Sequence, residues 1–288
     1  MTISEYNTRY PWQKMILKNG KVFEYRYHKH PTSKTTLVLL TGGIGLSNLF
    51  YLHFEAFSKV YSVITFDYQT QFDTQSELAD ACAELFERLG VKVWLVGQSL
   101  GGIVAQIIAK RHPKVVDGLI LSNTCSLAQD MPKEAYDQLI EMATLQEKRK
   151  FMIKLIPFGL FKRMLTNTIM KKRVSTFTEN EKQLMAAICD ELIKVLSKPY
   201  ELHMIDLLAD VKNHLTALPS DFAHLQGKVL LLLSEDDDTF NTACKQSLIQ
   251  LMPGPEVITN LTGGHLALLV KVEQYATKVQ NFINSSIQ

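Results

Sequence analysis

The sequence predicts an α/β protein: a doubly wound, mostly parallel sheet with a helical cap inserted late in the chain. Three observations lead there. Short apolar, β-branched runs alternate with longer stretches of helical periodicity over the first 123 residues. After Asn123 that alternation gives way to about a hundred residues of helical pattern, and it resumes near Val229. Finally, the run Gly97-Gln98-Ser99-Leu100-Gly101 closes one apolar strand and turns directly into an apolar helix.

In order, residues 22–27 alternate like a half-exposed strand, with the turn signal Asn19-Gly20 before them. Residues 35–40, 61–66, 91–96 and 119–122 read as buried strands, separated by helical patterns at 46–57, 75–89 and 101–112. Residues 125–226 are helical, broken at Ile156-Pro157-Phe158-Gly159 and Lys198-Pro199. Then follow a strand at 229–233, a helix at 239–252, a strand at 257–261 and a closing helix at 266–283. The predicted division is a core of residues 1–124 and 227–288 with a cap of residues 125–226. Ligands of such sheets bind outside the carboxyl ends of the strands, so an insertion leaving one of those ends roofs the crevice.

Composition narrows the function. A chain of 288 residues, 46% hydrophobic, buries a large core, and a net charge of +2 gives no general attraction to nucleic acid. The cysteines Cys82, Cys125, Cys189 and Cys244 are scattered, without CxxC or metal-ligand spacing, so reduced thiols and no metal are expected. The opening Met1-Thr2-Ile3-Ser4-Glu5 has no secretory pattern and no apolar run approaches ~20 residues, so a soluble cytoplasmic protein without membrane insertion is expected. Nothing indicates a homo-oligomer.

The chemistry starts at Ser99. A chain that reverses sharply enough to lift a serine hydroxyl clear of a sheet puts that serine at positive φ and leaves no room for side chains two residues either side. Gly97 and Gly101 fit that nucleophile elbow. A serine needs a base, and the base a carboxylate, on later post-strand loops in the order serine, acid, histidine. Ser234-Glu235-Asp236-Asp237-Asp238 follows one such strand and Thr262-Gly263-Gly264-His265 the next. His265 alone of eight histidines has this placement; Asp236, Asp237 and Asp238 all remain candidates for the acid. Thr41-Gly42-Gly43-Ile44-Gly45 follows another strand, and the Gly43 and Leu100 amides are the expected oxyanion donors. No GK[ST] follows those glycines, which argues against a phosphate loop.

With these four pieces the chain resembles the capped serine hydrolases of the α/β-hydrolase superfamily, in the esterase and proline iminopeptidase-like branch, over nearly its whole length. The family's acid loop usually reads Gly-x-x-Asp; setting Ser234 on that glycine puts the acid at Asp237. Thr41 stands where the family usually has histidine, and the loop from Asp67 to Thr74 lacks the usual glycines. The resemblance implies two-step acyl transfer on Ser99 without metal or organic cofactor, acting on a small-molecule substrate, with a carboxylic ester the first choice. An aminopeptidase of proline iminopeptidase type is the alternative. Its relatives carry Trp where this chain has Leu100, while Glu179, Glu181, Asp190 and Glu191 offer cap carboxylates for a substrate amine. A third reading is a ligand- or partner-binding protein with little catalysis.

One feature stands apart. Residues 148–173 hold nine basic side chains (Lys148, Arg149, Lys150, Lys154, Lys162, Arg163, Lys171, Lys172, Arg173) and no acidic one. The simpler expectation is solvated basic faces on amphipathic helices; the sharper one is attraction of anionic substrates or a lipid surface.

Overall fold

The computed structural model describes residues 1–171 and 177–287, so Lys172 and Arg173 of the basic run lie outside the described residues. In chain order the elements are α1 (Ile3–Arg9), β1 (Gln13–Ile16), β2 (Val22–His28), β3 (Thr36–Leu40), α2 (Tyr51–Ser58), β4 (Ser62–Thr65), α3 (Gln75–Leu89), β5 (Val93–Gln98), α4 (Leu100–Arg111) and β6 (Val116–Ser122). After β6 come α5 (Lys133–Leu155), α6 (Phe158–Lys171), α7 (Glu179–Val195) and α8 (Lys198–Ala209). The chain then returns through β7 (Val229–Leu232), α9 (Thr242–Leu251), β8 (Glu256–Ile258), α10 (Ala267–Val270) and α11 (Val272–Ile287).

The strands form one sheet in the order β1-β2-β4-β3-β5-β6-β7-β8. The first two pairings are antiparallel and the rest parallel. Strands β3, β4 and β5 are buried throughout, which is why they read as continuous apolar runs. The strand period of two sorts their side chains. Val38, Leu40, Ile64 and Leu95 pack toward α3 and α4, whereas Leu37, Leu39, Val63 and Trp94 pack toward α2 and α11. Helix α3 starts where the Thr74 side chain accepts from the Glu77 amide and ends at Gly90, φ +67°. On α2, His53 is fully buried with Nε2 2.9 Å from the Leu268 carbonyl, and burial lowers its pKa to about 4.

Between β6 and β7 the insertion is helical, as expected. Its neck is narrow: the Ala217 amide donates to Leu127 O at 2.8 Å and the Gln129 amide to Ala217 O at 2.9 Å. Ala135, Leu139 and Ala143 of α5 and Met204 and Leu207 of α8 join the main core, while Ile153, Phe161, Leu196 and Ile205 form a small core of the insertion's own.

Three expectations need correction. Helix α1 and strand β1 have no counterpart in the sequence reading; β1 is a short, largely exposed edge strand without an apolar run. The helix expected at 46–57 opens as a 3₁₀ turn over Ser47–Phe50. The basic run is solvated at Lys148, Lys154 and Arg163, as expected, but not on purely basic faces. Its outward surface on α5 carries Phe151, 66% exposed, and Leu155, 68% exposed, while Arg149 and Lys150 turn to Glu201 and Asp206 of α8. Among the described residues, no helix is long and apolar enough to cross a membrane, and no His/Cys/Asp/Glu group could hold a metal ion.

Candidate active site

Ser99 sits between β5 and α4 at φ +53°, ψ −118°, the strained backbone the elbow requires. A Cβ on Gly97 would collide with the backbone of Gly101, and one on Gly101 with the Leu40 carbonyl. The Ser99 amide donates to Ser122 O at 3.0 Å, and its carbonyl accepts from the Gly102 amide at 2.9 Å and the Thr124 hydroxyl at 2.7 Å. Leu100 is the first residue of α4, so its N–H has no partner inside the helix and is free to meet an anion.

The acid and the histidine meet. His265 Nδ1 lies 3.0 Å from Asp237 Oδ2, whose carboxylate is buried and also accepts from the Thr239 amide at 2.9 Å. Burial alone would raise the Asp237 pKa; the hydrogen bond and charge of His265, helped by Thr239, outweigh it and hold the carboxyl below its ordinary value. The neighbouring carboxylates differ. Asp236 accepts from the Gly263 amide at 2.8 Å and the Gly264 amide at 3.0 Å, clamping the histidine's turn, and Asp238 is exposed. Both glycines have positive φ, +124° and +67°. Lys245 Nζ donates to Ser234 O and Asp237 O, fixing the acid loop from below.

The loop of residues 41–45, the expected oxyanion segment, is anchored without a histidine at position 41. Tyr68 donates its hydroxyl to Thr41 O at 2.7 Å and its amide to Gly45 O at 2.9 Å. The loop after β4, unusual in sequence, thus supplies the brace. Gly42 lies against Ser99: a Cβ there would sit 3.4 Å from Ser99 Cβ and collide with Gln98 Oε1. Gln98 Nε2 in turn donates to His265 O at 3.3 Å, tying this loop to the histidine's.

Ser99, His265, Thr41, Gly42, Gly43 and Gln98 line one cavity of about 240 Å³. Its walls are mainly apolar, from Leu49, Phe50 and Leu266 of the core and from Leu165 and Ile169 of α6 and Leu208 of α8. One polar pair enters from the insertion: Arg149 and Glu201, ion-paired and stacked so that the guanidinium lies 5.4 Å from the Phe161 ring. Burial raises the Glu201 pKa, and Arg149 only partly offsets it. None of Glu179, Glu181, Asp190 and Glu191 lines this cavity. Glu181 instead caps α7 and pairs with Lys271, and Glu191 accepts from Asn48. A larger groove of about 600 Å³ between α2 and α11 holds no serine, cysteine or histidine.

Sequence reading missed four groups here: Asn123, Asp236 as a clamp, Gln98 and the Arg149–Glu201 pair. Only Asn123 left a signal, as a residue type that tolerates left-handed backbone, standing at a strand's end; its φ is +41°.

The family model described as "Serine aminopeptidase, S33" matches residues 67–261, a span that includes Ser99 and Asp237. A protein of Agrobacterium fabrum named "Putative carbamate hydrolase RutD" is 28% identical over 129 residues, 41% of this chain and about half (49%) of that protein. Its namesake from Yersinia enterocolitica is 25% identical over 268 residues, 88% of each. Among solved structures, a thermophilic esterase from Thermogutta terrifontis superposes with a TM-score of 0.71 at 19% identity, covering 96% of this chain and 98% of that one. At that identity the likeness speaks for the fold.

Proposed function

This chain belongs to the serine aminopeptidase S33 family of α/β-hydrolases, and from that premise we propose that it is a serine hydrolase cleaving a small-molecule carboxylic ester or related acyl bond through an acyl-enzyme on Ser99. The observation that carries the reading is the Asp237–His265 bond, 3.0 Å long, with Ser99 and His265 on one apolar cavity.

In the proposed reaction, Asp237 fixes the tautomer of His265 by accepting from Nδ1–H, which leaves Nε2 as the acceptor. The Ser99 Oγ–H gives its proton to Nε2 as Oγ bonds to the acyl carbon. The carbonyl oxygen becomes an oxyanion, met by the N–H groups of Gly43 and Leu100. Collapse breaks the acyl–oxygen bond, and the leaving group takes the proton from His265. Water, deprotonated by the same nitrogen, then releases the acid and restores Ser99. Residues 125–226 act as the cap over this cavity, and no metal or organic cofactor enters the scheme.

Two other acyl bonds merit the same assay. The carbamate-hydrolase names of the curated relatives make a carbamate a natural second substrate. An aminopeptidase reading draws on Glu201 as a cap carboxylate in the cavity, but its pairing with Arg149 leaves little net charge for an ammonium group. The decisive experiment is labelling with a fluorophosphonate probe, followed by a panel of esters, carbamates and aminoacyl amides. Labelling of the wild type and not of Ser99→Ala supports the reading. An unlabelled, well-folded wild type sinks it in favour of a binding protein.

A further inference from the structure

Helices α5 and α6 line the cavity with one side and face outward with the other, and the outward side is unusual. On α5, Leu145, Lys148, Phe151, Met152 and Leu155 fall within one arc of the helix at i, i+3, i+4 and i+7 spacings. The buried Ala143 and Ile153 lie on the opposite arc. The helix therefore carries apolar side chains on both sides. On α6, Leu160, Arg163 and Met164 repeat the arrangement. Exposure is high: Leu145 49%, Phe151 66%, Met152 38%, Leu155 68%, Leu160 51% and Met164 45%. Leu155 and Leu160 stand on either side of the short turn between the two helices. Soluble proteins scatter exposed apolar residues singly; a cluster of this kind marks a surface that meets something.

Charge indicates what it meets. Lys148 and Arg163 are exposed within the cluster and Lys154 is exposed beside it, and no acidic residue occurs between Glu147 and Glu179. A second copy of the chain, docked about a two-fold axis, would bring these cations against their own kind. Large apolar side chains interleaved with cations, on helices lying flat on a surface, match an anionic bilayer: the apolar groups enter the headgroup–acyl boundary and the cations meet lipid phosphates.

We propose that the outer face of α5 and α6 docks this protein on anionic lipid bilayers. Binding requires no catalysis and so stands apart from the reaction proposed above. If both hold, the docked face sits directly over the Ser99 cavity, because Arg149, Leu165 and Ile169 line that cavity from the inner sides of the same helices. Amphiphilic acyl compounds would then reach the serine from the membrane side.

The test is co-sedimentation of the intact protein with vesicles of phosphatidylcholine alone and of phosphatidylcholine and phosphatidylglycerol in equal parts. The expected result is binding to the anionic vesicles only, weakened between about 0.05 M and about 0.5 M salt. Phe151→Ser and Leu155→Ser should each reduce partitioning roughly tenfold. Lys148→Glu and Arg163→Glu should each reduce it at least roughly fivefold, by losing a cation at the surface. Circular dichroism and thermal melts should be unchanged in all four variants, which establishes that they fold. No binding to either vesicle overturns the proposal, as does equal binding to both. Concentration-dependent dimerisation in sedimentation velocity, abolished by Phe151→Ser, would assign the face to a second copy instead.

Discussion

Asn123 holds Ser234 twice: its Oδ1 accepts from the Ser234 amide at 2.8 Å and its Nδ2 donates to the Ser234 hydroxyl at 3.1 Å. The same Nδ2 reaches Gly264 O at 3.2 Å. One buried amide at the end of β6 therefore joins the loop of the candidate acid to the loop of the candidate base. Its backbone, at φ +41°, is what aims it between them.

Asn123→Ala should lower kcat with little change in KM and destabilise the fold by about 2 kcal/mol, from the lost bonds and the strain of alanine at positive φ. Asn123→Gly removes the bonds without that strain. If Asn123→Gly retained wild-type kcat, backbone strain rather than the amide bridge would be the residue's contribution.

The acid register is testable by three amide substitutions. Asp237→Asn should cost about 10⁴ in turnover, since it inverts the hydrogen bonding that sets the His265 tautomer. Asp236→Asn, which keeps one of two clamping acceptors, should cost about tenfold. Asp238→Asn should stay within about twofold, because that side chain is exposed. Steady-state kinetics on one ester checks all three, and a collapse of activity in Asp238→Asn alone would show the register to be wrong.

His53 gives a pH dependence to stability. Its pKa is about 4 in the fold against an ordinary 6.5, so the neutral ring is the folded form. The stability tied to it is complete above pH 6.5 and is lost as pH falls from there toward 4, roughly 3 kcal/mol over that interval. Asp237, with a lowered pKa, loses its contribution only further down, below its ordinary 3.8. Denaturant titrations of wild type and His53→Gln between those pH values should differ in slope. Parallel curves would remove His53 as the cause.

The Arg149–Glu201 pair predicts non-additivity. Arg149→Met strands a buried carboxylate and should destabilise by about 3 kcal/mol, whereas Arg149→Met with Glu201→Leu should recover most of that loss. Additive losses in thermal melts would mean the two side chains are not coupled.

What the sequence made legible and what it did not divide along physical lines. The buried strands announce themselves because both their faces are apolar, and Gly97, Ser99 and Gly101 do so because the elbow's sterics admit few residue types. Strand β1 is hidden because an exposed edge strand needs no apolar pattern. The strand expected at 257–261 stops at Ile258, since the Thr259 carbonyl turns to the Glu235 amide and leaves the ladder. The pairing of Arg149 with Glu201 spans 52 residues and depends on how α5 and α8 pack, which no local pattern encodes. The apolar outer face of α5 escaped notice because counting charges along 148–173 does not say which arc of the helix they occupy.

The neck of the insertion has a consequence for how such proteins diversify. Thr124, which donates to Ser99 O and fills the space beside Gly102, still belongs to the elbow's support, as does Asn123 before it. The clip between Leu127 and Ala217 closes just beyond, so the chain enters and leaves the insertion at one pair of joined backbones. A cassette exchanged between Leu127 and Ala217 would bring new cavity walls and a new outer surface while keeping Ser99, Asp237 and His265, provided it also replaced the bonds by which Gln138 holds Thr239 and Asn241 beside Asp237. Cavity walls and outer surface can therefore change together, on one module, around a fixed Ser99, Asp237 and His265.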